Sequence, residues 1–189
     1  MKSGKRPMAE RTGKGRIAER KGKMERTEQE SRIDRILKHP EFLANLKKND
    51  AAEAHRRFCR HNMVHFLDVS RIARVINGEE HFGVDLEWIY AAGLLHDIGR
   101  HVQYADGTPH EEASAVIAPG ILAECGFSEE EAAIIADAIL MHRKSEVAGE
   151  KNLRGILYRA DKASRACFAC PVEQECNWKN EKKNLLIMY

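Results

Sequence analysis

Ala91-Ala92-Gly93-Leu94-Leu95-His96-Asp97-Ile98-Gly99-Arg100 is the stretch on which the reading of this chain turns. From Tyr90 to Leu95 it is apolar without interruption, the composition of an interior segment, and it runs directly into an imidazole and a carboxylate. Burying an ionised carboxylate without a partner costs several kcal/mol. Asp97 therefore requires a compensating charge, and the residues around it in the fold must supply or hold one.

Working outward, other imidazoles and carboxylates fall on the apolar faces of helices. Val69, Ile72, Ala73 and Ile76 form one stripe at helical spacing, and four residues before Val69 stands His65. Ile135, Ala138 and Ile139 form another that leads to His142, and Leu157 stands four residues before Asp161. A lone inward histidine is ordinarily a hydrogen-bonded core residue. Several such residues aimed inward from four separate helices, with a His-Asp pair among them, point instead to a bound metal.

The rest of the chain supports an all-α bundle. From Glu28 onward apolar residues recur at three- and four-residue steps, with no alternating strand and no internal repeat. A first helical segment ends near His39-Pro40, and a short helix follows around Phe42 to Leu46. A long helix is expected from Asp50 to Asn77-Gly78, then a helix from Leu86 to Leu95, then a loop from Gly99 to Gly107. Thr108-Pro109-His110-Glu111 reads as a helix start with Thr108 as N-cap, and that helix runs to Cys125-Gly126 with Pro119 inside it. Ser128 and Glu131 form a capping box for a helix ending near His142. The last long helix runs from Leu153 to about Ala166, and Leu185-Leu186-Ile187 is expected to dock on the core.

The quoted stretch resembles the signature of HD-superfamily metallohydrolases, with His65, Val69 and Ala73 at the family's upstream spacing and Asp161 within Tyr158-Arg159-Ala160-Asp161-Lys162 downstream. The resemblance covers roughly residues 60–165 and implies an HD-domain helical bundle. It implies that His65, His96, Asp97 and Asp161 bind one ion. In the two-metal branch, Asp97 bridges to a second ion completed by two further histidines, and His110 and His142 stand in the required order. The chain is similar to two-metal members such as HD-type diadenosine polyphosphate hydrolases and HD-GYP phosphodiesterases. It departs from the latter in lacking the Gly-Tyr-Pro segment and in having Arg143 where a second consecutive histidine would stand.

The resemblance implies a phosphohydrolase, a phosphomonoesterase or phosphodiesterase, acting on a small nucleotide or phosphorylated metabolite. Two ions roughly 3.5 to 4 Å apart can share a bridging hydroxide, formed by lowering the pKa of water, and clamp a phosphoryl oxygen opposite it. Mixed imidazole and carboxylate ligation suits transition metals better than Mg or Ca, with Fe or Mn first by resemblance. Arg100, beside the His-Asp pair, is the leading candidate to grip a phosphate bidentately and act with Asp97 in catalysis; Arg143 and Lys162 are further substrate-binding candidates. His39, His55, His61, His81 and His101 fit no ligand order and read as surface or capping residues; of the five, His61, four residues before His65, is the best candidate to line the site. The same ligand set also occurs in HD-type di-iron oxygenases, and a non-catalytic metal or redox sensor is a third reading.

Cys167, Cys170 and Cys176 give C-x2-C-x5-C, three soft ligands in need of a fourth. Cys59 precedes His65 by six residues and Cys167 follows Asp161 by six, which places both towards one end if their helices run antiparallel. The arrangement is similar to the terminal iron-sulfur staple of certain nucleases. A 4Fe-4S cluster, a structural Zn and ordinary thiols all stay open, and Cys125 reads as a core thiol.

At 189 residues, with 43% hydrophobic residues and six Phe, the chain buries one ordinary core. The expected organisation is a tail over residues 1–26, an HD domain over residues 27–166, and a cysteine-containing extension over residues 167–189 packed on it. The tail carries ten Lys or Arg against Glu10, Glu19 and Glu25 and is nearly devoid of apolar residues, so it reads as disordered. Nucleic acid is within reach only through that tail's charge. With no secretory apolar run and no stretch approaching the roughly 18 apolar residues of a membrane span, a cytoplasmic protein without membrane partners is expected.

Overall fold

A computed structural model of the chain describes residues 30–187. The basic tail over residues 1–26 lies outside them. The described residues form α1 (Arg32–Lys38), α2 (Pro40–Ala52), α3 (Met63–Glu79), α4 (Leu86–Leu95), α5 (Arg100–Asp106), α6 (His110–Glu124), α7 (Glu129–Met141) and α8 (Leu153–Ala163), followed by short 3-10 turns. No strand occurs among them, and no helix among them is long and apolar enough to cross a membrane.

Helix α4 is the axis of the bundle. Ile89 and every residue from Ala91 to Leu95 are buried, and α1, α3, α6, α7 and α8 all pack against it. A helix apolar on all sides can be stable only in such a position. Helices α3, α6, α7 and α8 turn their buried faces to it, through Phe66, Val69 and Ala73, then Ala118, Ile121 and Leu122, then Ile135, Ala138 and Ile139, then Ile156, Leu157 and Ala160. Close approach is set by glycine: a Cβ on Gly93 would lie 2.2 Å from Ser70 Oγ of α3, and one on Gly99 would lie 2.7 Å from the backbone nitrogen of Ser114 in α6. Gly93 and Gly99, on either side of the His96-Asp97 turn, thus lack side chains because two other helices touch there.

Several boundaries differ from those expected. The long helix expected from Asp50 is two helices, since α2 stops at Ala52 and residues 53–62 turn before α3 begins at an Asn62 N-cap. Asn62 Oδ1 accepts from the backbone N–H groups of Val64 and His65 at 3.1 and 3.3 Å, and this local cap outcompetes helix continuation. The expected loop from Gly99 to Gly107 contains α5. The N-cap of α6 is Pro109, not Thr108, whose own N–H bonds Asp106 Oδ1. Leu185, Leu186 and Ile187 are exposed rather than docked, because the main core is already closed by α3 and α8. The last helix ends at Ala163, whereas α1, the span of α4 and Pro119 within α6 stand where the sequence puts them.

The capping box of α7 is present and also ties the bundle's outer helices together. Glu131 accepts from Ser128 N at 2.8 Å, from Trp88 Nε1 at 3.0 Å and from Arg32 Nη1 at 2.7 Å. The bonds from Trp88, Ser128 and Arg32 pull its carboxyl down to about 2. A depressed carboxyl contributes stability that is complete above its unfolded pKa and lost as pH falls through the folded one, here between about pH 5 and 2. Glu131→Gln is expected to cost about 1–2 kcal/mol at pH 7 by urea denaturation, with the gap from the parent narrowing by pH 3. A gap unchanged at pH 3 would contradict this assignment.

Candidate metal centre

Each donor is positioned by the local structure of its helix. Asn62 fixes the first turn of α3 and so the backbone of His65. His96 stands at the C-terminal end of α4, where its Nδ1 donates to Gly93 O at 2.8 Å. His142 occupies the same place on α7, with Nδ1 donating to Ile139 O at 2.6 Å. His110 opens α6, and its Nδ1 lies 2.6 Å from Gln103 Oε1 and 2.5 Å from Arg100 Nη1. The carbonyl bonds of His96 and His142 spend the Nδ1 proton, so the Nε2 lone pair of each of those two rings is free to ligate; orienting a ligand through its other nitrogen is the ordinary outer-shell device of metal sites.

The free nitrogens converge on Asp97. His96 and His65 Nε2 lie 3.3 and 3.5 Å from its Oδ2, and His110 and His142 Nε2 lie 3.0 and 3.6 Å from its Oδ1. Two compact donor groups result, His65-His96-Asp97 and Asp97-His110-His142, with all ligand atoms of each within 4.8 Å of one another. Asp97 belongs to both. Asp161 Oδ1 comes within 3.7 Å of His65 Nε2, while its Oδ2 pairs with Lys162 Nζ at 2.5 Å. Asp161 thus borders the first group rather than closing it.

The electrostatics fit a cation. Asp97 is buried, and its Oδ1 has no hydrogen-bond partner, since His110 Nε2 approaches without hydrogen-bond geometry. His65 and His96 point Nε2 at each other across 3.2 Å. An orphaned buried carboxylate oxygen and facing ring nitrogens are what a shared positive ion would satisfy. Burial pushes the Asp97 carboxyl up, but His96 and the close approach of His110, His142 and His65 hold it well below the usual range. Asp161 is likewise pushed up by burial and drawn lower by Lys162, His96 and His142. Burial also lowers His110, against the pull of Asp97, which favours its neutral, ligating form.

The remaining sequence candidates are brought to the same cavity, of about 610 Å³, whose floor is the His/Asp centre. Arg100 opens α5, with Nη1 donating to Gln103 Oε1 at 3.0 Å and a buried Nε that has no partner. Arg143 reaches the rim and pairs with Glu111 at 3.2 Å; Lys162 lines the wall. Cys59, Cys167, Cys170 and Cys176 line it as well, whereas Cys125 is buried in the core as expected. His61 does face the centre, 3.8 Å from Asp97 Oδ2.

Two positioning residues are absent from the sequence reading. Glu53, buried at the break after α2, accepts from His61 Nδ1 at 2.6 Å, His61 N at 2.7 Å and the Tyr104 hydroxyl at 2.7 Å. Burial pushes its carboxyl up, but the His61 and Tyr104 contacts bring it down to about 2. Asn49 joins α2 to the His-Asp turn, donating to Asp97 O at 2.9 Å and accepting from His101 N at 2.7 Å. Neither stands in a motif; a polar residue on the inner face of α2 is the sole signal either leaves in the sequence.

A family model described as the HD domain matches residues 63–166. The chain is 47% identical over 154 residues to a Clostridium beijerinckii protein described as uncharacterized, covering 82% of this chain and 96% of that one. Its fold is similar to the crystal structure of a predicted HD superfamily hydrolase from an uncultured Thermotogales bacterium, with a TM-score of 0.54, 26% identity, and coverage of 77% of this chain and 83% of that one. The chain belongs to the HD-domain family, whose members bind divalent metals, and its two His/Asp groups are able to hold such an ion.

Because Asp97 belongs to both groups, its loss should disable both. Mn(II) is expected to raise the melting temperature of the parent, as any ligand of the folded state does, and to leave that of Asp97→Ala unmoved. Equal shifts in the two proteins would place the ion elsewhere.

Proposed function

We propose that the chain is a two-metal phosphohydrolase acting on a small phosphorylated metabolite or nucleotide. The observation that carries this reading is the sharing of Asp97 by two donor groups at the floor of a cavity walled by cations. The description of its structural relative as a predicted hydrolase agrees with it. Two divalent ions held by these groups would supply a water of lowered pKa and positive charge to the phosphoryl oxygens.

The chain's own residues do the rest. His65, His96 and Asp161 would hold one ion and His110 and His142 the other, with Asp97 between them. Arg57, Arg60, Arg143, Lys162, Arg165 and Lys182 face the cavity and make it attractive to an anionic ester. Arg100 is best placed to bind the reacting phosphate: its guanidinium is held by Gln103 and His110, and its buried Nε, 3.9 Å from Glu53 Oε1, makes no hydrogen bond. Glu53 orients His61 towards Asp97, and Asn49 holds the backbone of Asp97 itself.

The donor set alone suits a di-iron oxygenase equally; the cationic wall favours a phosphate ester. Phosphate or p-nitrophenol release from p-nitrophenyl phosphate, its bis ester and a nucleotide panel, measured anaerobically with Mn(II), tests the reading. The parent is expected to turn over, Asp97→Ala to be inactive, and Arg100→Ala to lose about 10- to 100-fold in kcat/KM, the worth of a hydrogen bond between charged groups. Unchanged activity in Asp97→Ala, or turnover that requires oxygen, would overturn it.

A further inference from the structure

The segment after α8 presents a physical puzzle. No residue between 162 and 187 is buried as a whole, although the Lys183 side chain is covered in its pair with Glu173, and Phe168, Trp178, Leu185, Leu186 and Ile187 are exposed. Yet the segment follows a defined path against the bundle. Asn184 Nδ2 donates to the carbonyls of Lys162, Ala163 and Arg165 at 2.8 to 3.1 Å, and Phe168 N donates to Asn184 O at 2.8 Å. Lys183 pairs with Glu173 at 2.6 Å and Arg57 with Glu175 at 2.8 Å. Exposed ion pairs and a handful of polar contacts do not offset the entropy of ordering more than twenty residues. A chain segment without a core needs a covalent or metal cross-link.

The donors for one are at hand. Cys59, from the turn between α2 and α3, and Cys167, Cys170 and Cys176, from the terminal segment, all line one cavity, and none is in a disulfide. Two 3-10 turns present the last three: Cys167 opens Cys167–Ala169, Cys170 follows it, and Cys176 follows Glu173–Glu175. The backbone N–H of Cys170 bonds Cys167 O at 3.2 Å and that of Cys176 bonds Glu173 O at 3.1 Å. Burial pushes the Cys59 thiol up and nearby Cys167 and Cys170 add to this, with Arg165 opposing, as expected of thiols crowded together. Lys183 feels Cys176 and Cys167 in turn, after its Glu173 partner. Arg165 and Lys183 thus supply positive charge beside the cysteine sulfurs.

The spacing of the sulfurs bears on the kind of centre. A single Zn ion bonds each thiolate at about 2.3 Å, which draws four sulfurs to about 3.8 Å from one another. Among the described residues, no three cysteine sulfurs lie mutually within 4.8 Å. A polynuclear cluster, whose thiolates ligate different irons, suits the wider separation.

We propose that Cys59, Cys167, Cys170 and Cys176 hold a 4Fe-4S cluster that stands in for the missing core of the terminal segment and fixes that segment as a wall of the cavity above the His/Asp centre. The thiols bind as thiolates and release their protons on assembly. The site is separate from the His/Asp donors and does not depend on the reaction assigned to them.

The test is iron and acid-labile sulfide analysis of the full chain purified anaerobically, with limited proteolysis alongside. The parent is expected to carry about four sulfides per chain. Cys59→Ser, remote in sequence from the other three, and Cys170→Ser are each expected to lose most of that sulfide while keeping the helical circular dichroism of the parent, and to become cleavable beyond residue 166 where the parent resists. Asp97→Ala is expected to keep its sulfide. Sulfide-free parent protein with stoichiometric Zn, or a Cys59→Ser variant with the parent's sulfide content, would overturn the proposal.

Discussion

A carboxylate surrounded by four imidazoles in the middle of a helical bundle is the constraint from which the rest of this structure follows. Asp97 is buried at the end of the most buried helix, and burial alone would drive its carboxyl towards the neutral form. Helices α3, α4, α6 and α7 each deliver a ring nitrogen to within 3.6 Å of it, and a cation held between those nitrogens and the carboxylate is the charge that would keep it ionised. The bundle can be seen as the means of bringing four helix ends to one point. Gly93 and Gly99 let α3 and α6 approach the His-Asp turn, and Asn49 ties that turn to α2.

The tautomers of the rings matter as much as their positions. The histidines at the ends of α4 and α7 bond carbonyls three residues back, Gly93 and Ile139, in the last turns of their helices, where carbonyls lack the full set of intrahelical partners. One arrangement thereby caps the helix and turns the ligating nitrogen inward. The same economy holds for His110, whose Gln103 partner also holds Arg100. The side chain proposed to bind phosphate is thus mechanically linked to a candidate metal ligand, and shifts in one will be felt by the other.

Much of this was legible in the sequence, and what was not has a physical reason. The apolar run before His96 could only be a buried helix, and the stripes leading to His65 and His142 put those residues on inward faces, so the donors were visible as a set. The capping box of Ser128 and Glu131 is local chemistry and stands as read. The break at residues 53–62 was hidden because the segment has no proline or glycine, and only the Asn62 cap and the burial of Glu53 beneath Tyr104 make a turn there favourable. Helix α5 was hidden for the converse reason: between two glycines it looks like a loop, and its contacts with α2 and α6 settle it. Glu53 and Asn49 act through partners about 50 residues away, a relation that no local pattern encodes.

The central claim is that Asp97 is shared between two cations. Anomalous difference maps from crystals grown with Mn(II) test it most directly. Two peaks flanking the Asp97 carboxylate, about 3.5 to 4 Å apart, one beside His65 and His96 and the other beside His110 and His142, are the expected result. A single peak, or ions that leave Asp97 uncoordinated, would contradict the account.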